Sequence, residues 1–207
     1  MGTSTTISKA AELWGFHVHP KNAKDRLLLK AVDLFYFNGF NAIGLDRILA
    51  ETGVTKTTFY KHFESKDDLV LAAIEKRNEW EGKAFQKALL KTAGKDPIAQ
   101  LIAHYDVLDQ WFNHPNFNGC LFINVAGEFP NPNDPAHKAA ANHKHEHRAL
   151  VIDLAKKAQL RNPDQFADVY LTLFEGTLIM RHVHGRNDAA RATKPVVEKL
   201  IEQYRAV

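Results

Sequence analysis

Two glycines, Gly39 and Gly53, divide residues 24–63 into helical pieces that cannot stand alone. Leu27, Leu28, Ala31, Val32, Leu34 and Phe35 recur at three- and four-residue spacing, which predicts a helix with one buried face, stopped at Asn38-Gly39. Leu45, Ile48 and Leu49 predict a second helix, stopped at Thr52-Gly53, and Val54 with the candidate N-cap Thr55 opens a third that ends near Phe63. Helices this short cannot offset the cost of nucleation by themselves. Val54, Phe59 and the Leu45/Ile48/Leu49 set must therefore close a small shared core, and Gly53 supplies the positive φ that a tight turn between two crossed helices demands.

Beyond this unit the signals remain helical. Ser65 followed by Asp68 resembles a capping box and opens a long helix from about Lys66 to Lys91. Further helices are expected at Asp96-Pro97 to about Asn113, about Cys120 to Phe129, Asp134-Pro135 to about Leu160, Asn162-Pro163 to about Val183, and Asp188 to about Arg205. In three of these starts a cap-type residue precedes Pro at the first helical position, where its missing N–H is no loss. Neither hairpin signals nor internal repeats occur. The expected fold is all-α, with an N-terminal arm at 1–20, a three-helix helix-turn-helix DNA-binding domain at 21–66, and a C-terminal helical bundle for ligand binding and dimerisation at 67–207.

Composition narrows the classes. With 45% hydrophobic and 25% charged residues the chain can bury a sizeable core, and its net charge of +3 is too mild to name a partner, so any basic site must be local. One cysteine, Cys120, excludes an intrachain disulfide and a cysteine-based zinc site, and fits a reducing cytoplasm. The start has no apolar core of signal-peptide length, and no run approaches the roughly 18 apolar residues of a membrane span, so a cytoplasmic protein with no membrane partner is expected.

Two short helices separated by Gly-Val-Thr have the dimensions of a helix-turn-helix unit. In that geometry the second exposes Lys56, Thr57, Thr58 and Lys61, donors suited to base edges and phosphates in a major groove, with no acidic residue between Thr52 and Phe63 to repel phosphate. Residues 45–70, LDRILAETGVTKTTFYKHFESKDDLV, resemble the DNA-binding signature of the TetR/AcrR family of transcriptional regulators, most specifically in GVTKTTFYKHFESKDDL. DLFYFNGF in the first helix is similar to the same family, so the resemblance covers about residues 24–71; the rest matches only in length and helical layout. The resemblance implies that Thr55, Tyr60 and Lys66 hold phosphates, that Lys56, Thr57, Thr58 and Lys61 face the groove, and that His62 is a further phosphate contact. It implies a ligand-responsive repressor that binds a palindromic double-stranded operator as a homodimer and releases it on binding a small-molecule effector. One departure is Gly44, which stands where the family usually has a Ser or Thr cap.

In the C-terminal part, Tyr105, Trp111, Phe122 and Phe174 are candidates to line an apolar effector cavity, although such residues equally pack any bundle. Asn124, Glu128 and Glu175 are polar residues on apolar faces and need partners. Phe166, Val169, Tyr170, Leu173, Phe174, Thr177 and Met180, with Val196, Val197, Leu200, Ile201 and Tyr204, offer either a dimer surface or an intrachain core. Of the histidines in NHKHEHR, His143 and His147 share a helix face, and His104 or Glu128 from neighbouring helices could complete a divalent metal site; the alternative is a solvated histidine-rich face. No cofactor is expected beyond such a metal. Neither a phosphate loop nor a hydrolase or HExxH motif is present, so the chain is not expected to be an enzyme.

Overall fold

The computed structural model describes residues 8–205; the first seven residues of the expected arm lie outside the described part. Ten helices follow in order: α1 Lys9–Glu12, α2 Ala23–Asn38, α3 Leu45–Thr52, α4 Lys56–Tyr60, α5 Lys66–Ala93, α6 Pro97–Phe112, α7 Leu121–Glu128, α8 Pro135–Lys157, α9 Pro163–His182 and α10 Ala189–Tyr204. Among the described residues there is no strand, and no helix is long and apolar enough to cross a membrane. The chain packs as two compact units, residues 1–82 with 121–142, and residues 83–120 with 143–207. Neither unit ends at residue 66: α7 and the start of α8 belong with the first, and α5 begins in one unit and ends in the other.

The first unit is built on α2. Asn22 caps it by accepting from the Asp25 amide, and Gly39 ends it at φ 85°. Leu27, Ala31, Val32 and Phe35 are buried, joined by Ile48 of α3, Phe59 of α4 and Ile43, Val54 and Phe63 from the segments flanking those helices. The arm contributes α1, whose cap Ser8 donates its hydroxyl to Asp33 Oδ1 on α2 at 2.7 Å. Arg77 of α5, fully buried, donates from Nη1 to the Ala10 carbonyl at 3.1 Å and lies 4.5 Å from the centre of the Tyr36 ring. Its Nε pairs with Glu81 Oε2 at 3.4 Å, while Nη2 is buried without a partner. This guanidinium holds the arm against α2 and α5.

In the second unit α10 packs on α6 and α9. Two ion pairs pin it along α6, Lys194 to Asp106 at 2.7 Å and Arg191 to Asp109 at 2.7 Å. Pro195 sits inside α10 between them and the buried Val197, removing one backbone donor without ending the helix. α8 stops at Lys157, short of the expected Leu160, because Gln159 turns to φ 56° and the Leu160 amide reaches back to the Ala155 carbonyl at 2.9 Å. The expected cap at Asn162 also fails: the residue is left-handed at φ 46° and makes no side-chain cap bond.

The apolar residues of α9 and α10 divide between the two readings. Phe166, Tyr170, Phe174 and Thr177, with Val197, Leu200 and Ile201, are buried within the subunit and are therefore core. Val169, Ile179, Met180, Val183 and Val196 are left outward, with Gly176 exposed among them.

Candidate nucleic-acid interface and the buried histidine cluster

The turn between α3 and α4 forms as its residues dictate. Gly53 is left-handed at φ 64°, ψ 19°, and Val54 is buried behind it. Thr52 Oγ1 donates to the Ile48 carbonyl at 2.8 Å, tying the turn to α3. Thr55 caps α4: its hydroxyl oxygen accepts from the Thr58 amide at 3.2 Å and donates to Thr58 Oγ1 at 2.9 Å. α4 has only five residues and ends at Tyr60, short of the expected Phe63, but a turn continues through the Phe63 amide, which donates to the Phe59 carbonyl at 3.0 Å. Gly44 caps α3 without a side-chain bond, as a glycine must. Ser65 caps α5 through the Asp68 amide at 3.1 Å, while the Asp68 carboxylate takes the Glu64 amide at 3.1 Å, so the return bond falls one residue before the usual place.

Two rings mount this piece. Phe59 has no exposed surface and Phe63 almost none, with ring centres 5.7 Å apart, and Lys24 lies over the Phe63 ring at 5.7 Å. Tyr60 is 53% exposed, and Lys56, Thr57, Lys61 and His62 are exposed with it. Glu51, before the turn, is paired with two cations. Arg47 bonds it at 3.0 Å and Lys30 lies 3.4 Å away, and these partners, the Arg47 bond foremost, hold its carboxyl below the usual range. The result is an outward row of hydroxyl and ammonium donors, with no acidic residue within it from Thr52 to Phe63.

The remaining expected DNA contacts, Thr55 and Lys66 at phosphates and Thr58 in the groove, are placed differently. Thr58 is half-buried and shares its hydroxyl with Thr55, so both threonine hydroxyls are engaged in the cap. Lys66 is half-buried and donates from Nζ to the Phe40 carbonyl at 2.8 Å, about over the Phe35 ring at 6.0 Å, because the first residue of α5 abuts the α2–α3 turn. Its ammonium is committed to that turn rather than to the exposed row.

Glu128 also serves the turn. Its carboxylate accepts from the Phe40 amide, 2.9 Å to either oxygen, and from the Asn41 amide at 2.7 Å, so the last residue of α7 caps the break between α2 and α3. Gly39 leaves room for this: a Cβ there would stand 3.0 Å from Glu128 Oε1. Around it, Phe40 stacks with Phe35 at 5.0 Å and meets the edge of Phe129 at 5.7 Å. Glu128 is thus a tertiary cap, a correction to its expected place as a ligand or metal residue. Phe122 is buried and Asn124 half-buried on the same helix.

The second unit brings together Tyr105, Phe174 and two of the histidines. His104 is fully buried; its ring centre lies 5.0 Å from Phe85 and 5.6 Å from His147, and Phe174 lies 4.6 Å from His147 and 5.9 Å from Tyr105. Tyr170 Oη donates to the Leu101 carbonyl at 2.7 Å and lies 2.8 Å from His104 Nδ1. A carbonyl can only accept, so the tyrosine proton is used there, and His104 Nδ1 must be the donor to Tyr170 Oη. That fixes the tautomer: His104 Nε2 carries a bare lone pair, buried and without a partner. Tyr105 Oη and His147 Nε2 are likewise buried and unpartnered. Burial, with His147 adding to it, lowers His104 well below the ordinary histidine value, and burial followed by Lys144 and His143 lowers His147 to about 3. Burial, then the Glu175 charge, raises the Tyr105 phenol. Glu175 itself pairs with Lys144 at 2.9 Å, and Trp111 packs edge-on to Phe117 at 5.3 Å.

The expected metal set does not assemble. Among the described residues no group of three or more His, Cys, Asp or Glu side chains is gathered so as to hold a metal ion. Glu128 is spent on backbone amides in the first unit, and His104 gives Nδ1 to Tyr170 in the second. Tyr170, read from sequence as part of either a dimer surface or an intrachain core, is core and orients a buried histidine; a tyrosine in the middle of an apolar helical face, obliged to find a hydroxyl partner, is the signal that marks it.

Comparison with known proteins gives two matches along the chain. Residues 27–73 match the family described as bacterial regulatory proteins, tetR family, and residues 97–196 match the tetracyclin repressor-like C-terminal domain. The uncharacterized HTH-type transcriptional regulator YerO of Bacillus subtilis is 40% identical over 52 residues, 25% of this chain and 18% of that protein. The HTH-type transcriptional repressor NemR of Escherichia coli is 25% identical over 107 residues, 52% of this chain and 54% of that one, so the chain spans about half or less of the length of these two relatives. A crystal structure of a TetR-family transcriptional regulator from Streptomyces coelicolor superposes with a TM-score of 0.77 at 27% identity, over 88% of this chain and 95% of that one.

Proposed function

The chain belongs to the tetR family of bacterial regulatory proteins and is a DNA-binding transcriptional regulator rather than an enzyme; from that premise we propose that it is a repressor that binds a palindromic operator as a homodimer and leaves it when a small-molecule effector binds the C-terminal part. The observation that carries the DNA-binding site is the outward row Lys56, Thr57, Tyr60 and Lys61, mounted on the buried Phe59 and Phe63. His62 adds a phosphate contact at the end of the row. Thr55 and Thr58 shape the start of α4, and Lys66 takes part by fixing the turn beneath it. The repressor role is supported by the relative NemR, which bears that designation.

The homodimer is supported by α9. Val169, Leu173, Gly176, Met180 and Val183 fall at alternating four- and three-residue steps, a seam of the kind that pairs helices, and Val183 is 66% exposed. Two heads must then stand about 34 Å apart to read successive major grooves.

The test starts from a palindromic duplex selected by the wild-type protein from a random pool. Changing Tyr60→Ala together with Lys61→Ala should weaken binding about 10- to 100-fold while helical content and sedimentation stay unchanged. Wild-type affinity should also fall steeply with salt, log K against log salt having a slope of about −0.9 per phosphate neutralised. Unchanged affinity in the double variant would remove the proposed reading row.

A further inference from the structure

We propose that the effector is an uncharged aromatic hydroxyl compound, its hydroxyl hydrogen received by His104 Nε2 and an oxygen accepting from Tyr105 Oη, beside the ring cluster of Phe85, His147 and Phe174. The inference rests on the effector-released reading above and names the chemistry of its ligand.

Three unpartnered polar atoms set the recognition code. His104 Nε2, in a residue with no exposed surface, can only accept, because the Tyr170–Leu101 bond forces the imidazole proton onto Nδ1. Tyr105 Oη, in a residue 1% exposed, has a proton to give. His147 Nε2 supplies a third position that donates or accepts according to its tautomer. A single buried polar group without a partner costs on the order of 1–3 kcal/mol, and three around one ring cluster are the mark of a site whose partner arrives from outside. A hydroxyl meets the demand, since it donates and accepts at once.

Charge and shape narrow the class. The nearby charged groups, Lys144 and Glu175, satisfy each other at 2.9 Å and leave no counter-charge for an ionic ligand. A carboxylate has no hydrogen for His104 Nε2, and an ammonium has no lone pair for Tyr105. Phe85 and Phe174, with ring centres 5.0 Å from His104 and 4.6 Å from His147, offer edges and faces to a flat apolar body.

Phenol is the probe, with benzene, benzoate and benzylammonium as controls, titrated calorimetrically into the full-length protein at neutral pH. Phenol should bind saturably, one per chain, and each control about tenfold or more weaker. Tyr105→Phe, which removes only the hydroxyl, and His104→Phe should each weaken phenol by about tenfold. In the wild-type protein, nitrogen NMR should show the His104 Nε2 resonance move on phenol addition as its lone pair becomes hydrogen-bonded. Absence of saturable phenol binding, benzene binding as tightly as phenol, an ionic control that binds more tightly than phenol, an unmoved Nε2 resonance, or undiminished binding in both variants would overturn the proposal. Operator affinity without phenol, measured on the same preparation, keeps the two readings apart: intact operator binding with no phenol response removes this inference alone.

Discussion

Replacing Glu128 with alanine tests whether α7 holds the α2–α3 turn. The side chain accepts two backbone amides, Phe40 at 2.9 Å and Asn41 at 2.7 Å. Hydrogen bonds to a charged acceptor contribute about 1.5–3 kcal/mol each. Asn41 is exposed, so water replaces most of its bond, whereas Phe40 is 1% exposed and its amide loses its acceptor inside packed rings. The stacking of Phe40 on Phe35 and Phe129 remains. The expected loss for Glu128→Ala is therefore about 2–3 kcal/mol, and Glu128→Gln, which keeps one acceptor oxygen without charge, should lose about 1 kcal/mol. Urea unfolding at fixed protein concentration measures the difference, and amide hydrogen exchange locates it, with Phe40 and Asn41 losing protection first. An alanine variant within about 0.5 kcal/mol of wild type, with exchange at both amides unchanged, would refute the capping argument.

Gly39→Ala should destabilise by about 1–2 kcal/mol in the same assay, since φ is 85° and the added Cβ would crowd Glu128 Oε1. Acid should weaken the fold through His147: its value of about 3 lies below the ordinary 6.5, so the unfolded chain takes the proton first and stability falls as pH drops from 6.5 towards 3. The contribution between about pH 7 and about pH 5 is on the order of 2 kcal/mol, His104 acts in the same direction, and His147→Phe should flatten the measured slope. Val183→Glu with Val196→Glu, both on exposed apolar positions, should convert the protein to a monomer in sedimentation velocity without loss of helix; an unaltered dimer would move the interface elsewhere.

What could be read from the sequence was whatever is decided locally. Gly39 and Gly53 ended helices where expected, Thr55 and Ser65 capped where expected, and the Phe59 and Phe63 rings turned inward because a five-residue helix has no other anchorage. Partnerships across long sequence separations were not legible. Glu128 meets Phe40, 88 residues away, and nothing near either position announces it. Tyr170 and His104 are 66 apart, so an apolar stripe on α9 could not be divided in advance between core and surface. Asn162 shows the local limit as well, because a cap-type residue before proline was diverted into a left-handed turn by the tight α8–α9 connection.

Lys66 and Glu128 sit at the two ends of one peptide group. The amide joining Phe40 to Asn41 offers its oxygen to the Lys66 ammonium and its hydrogen to the Glu128 carboxylate. Resonance within that amide makes each end answer to the other: a cation at the oxygen draws electron density from nitrogen and makes the N–H a stronger donor. The bond acts as a small conductor between the start of α5 and the end of α7. Neutralising either charge weakens the opposite contact too, so a double-mutant cycle on the pair should return a coupling energy.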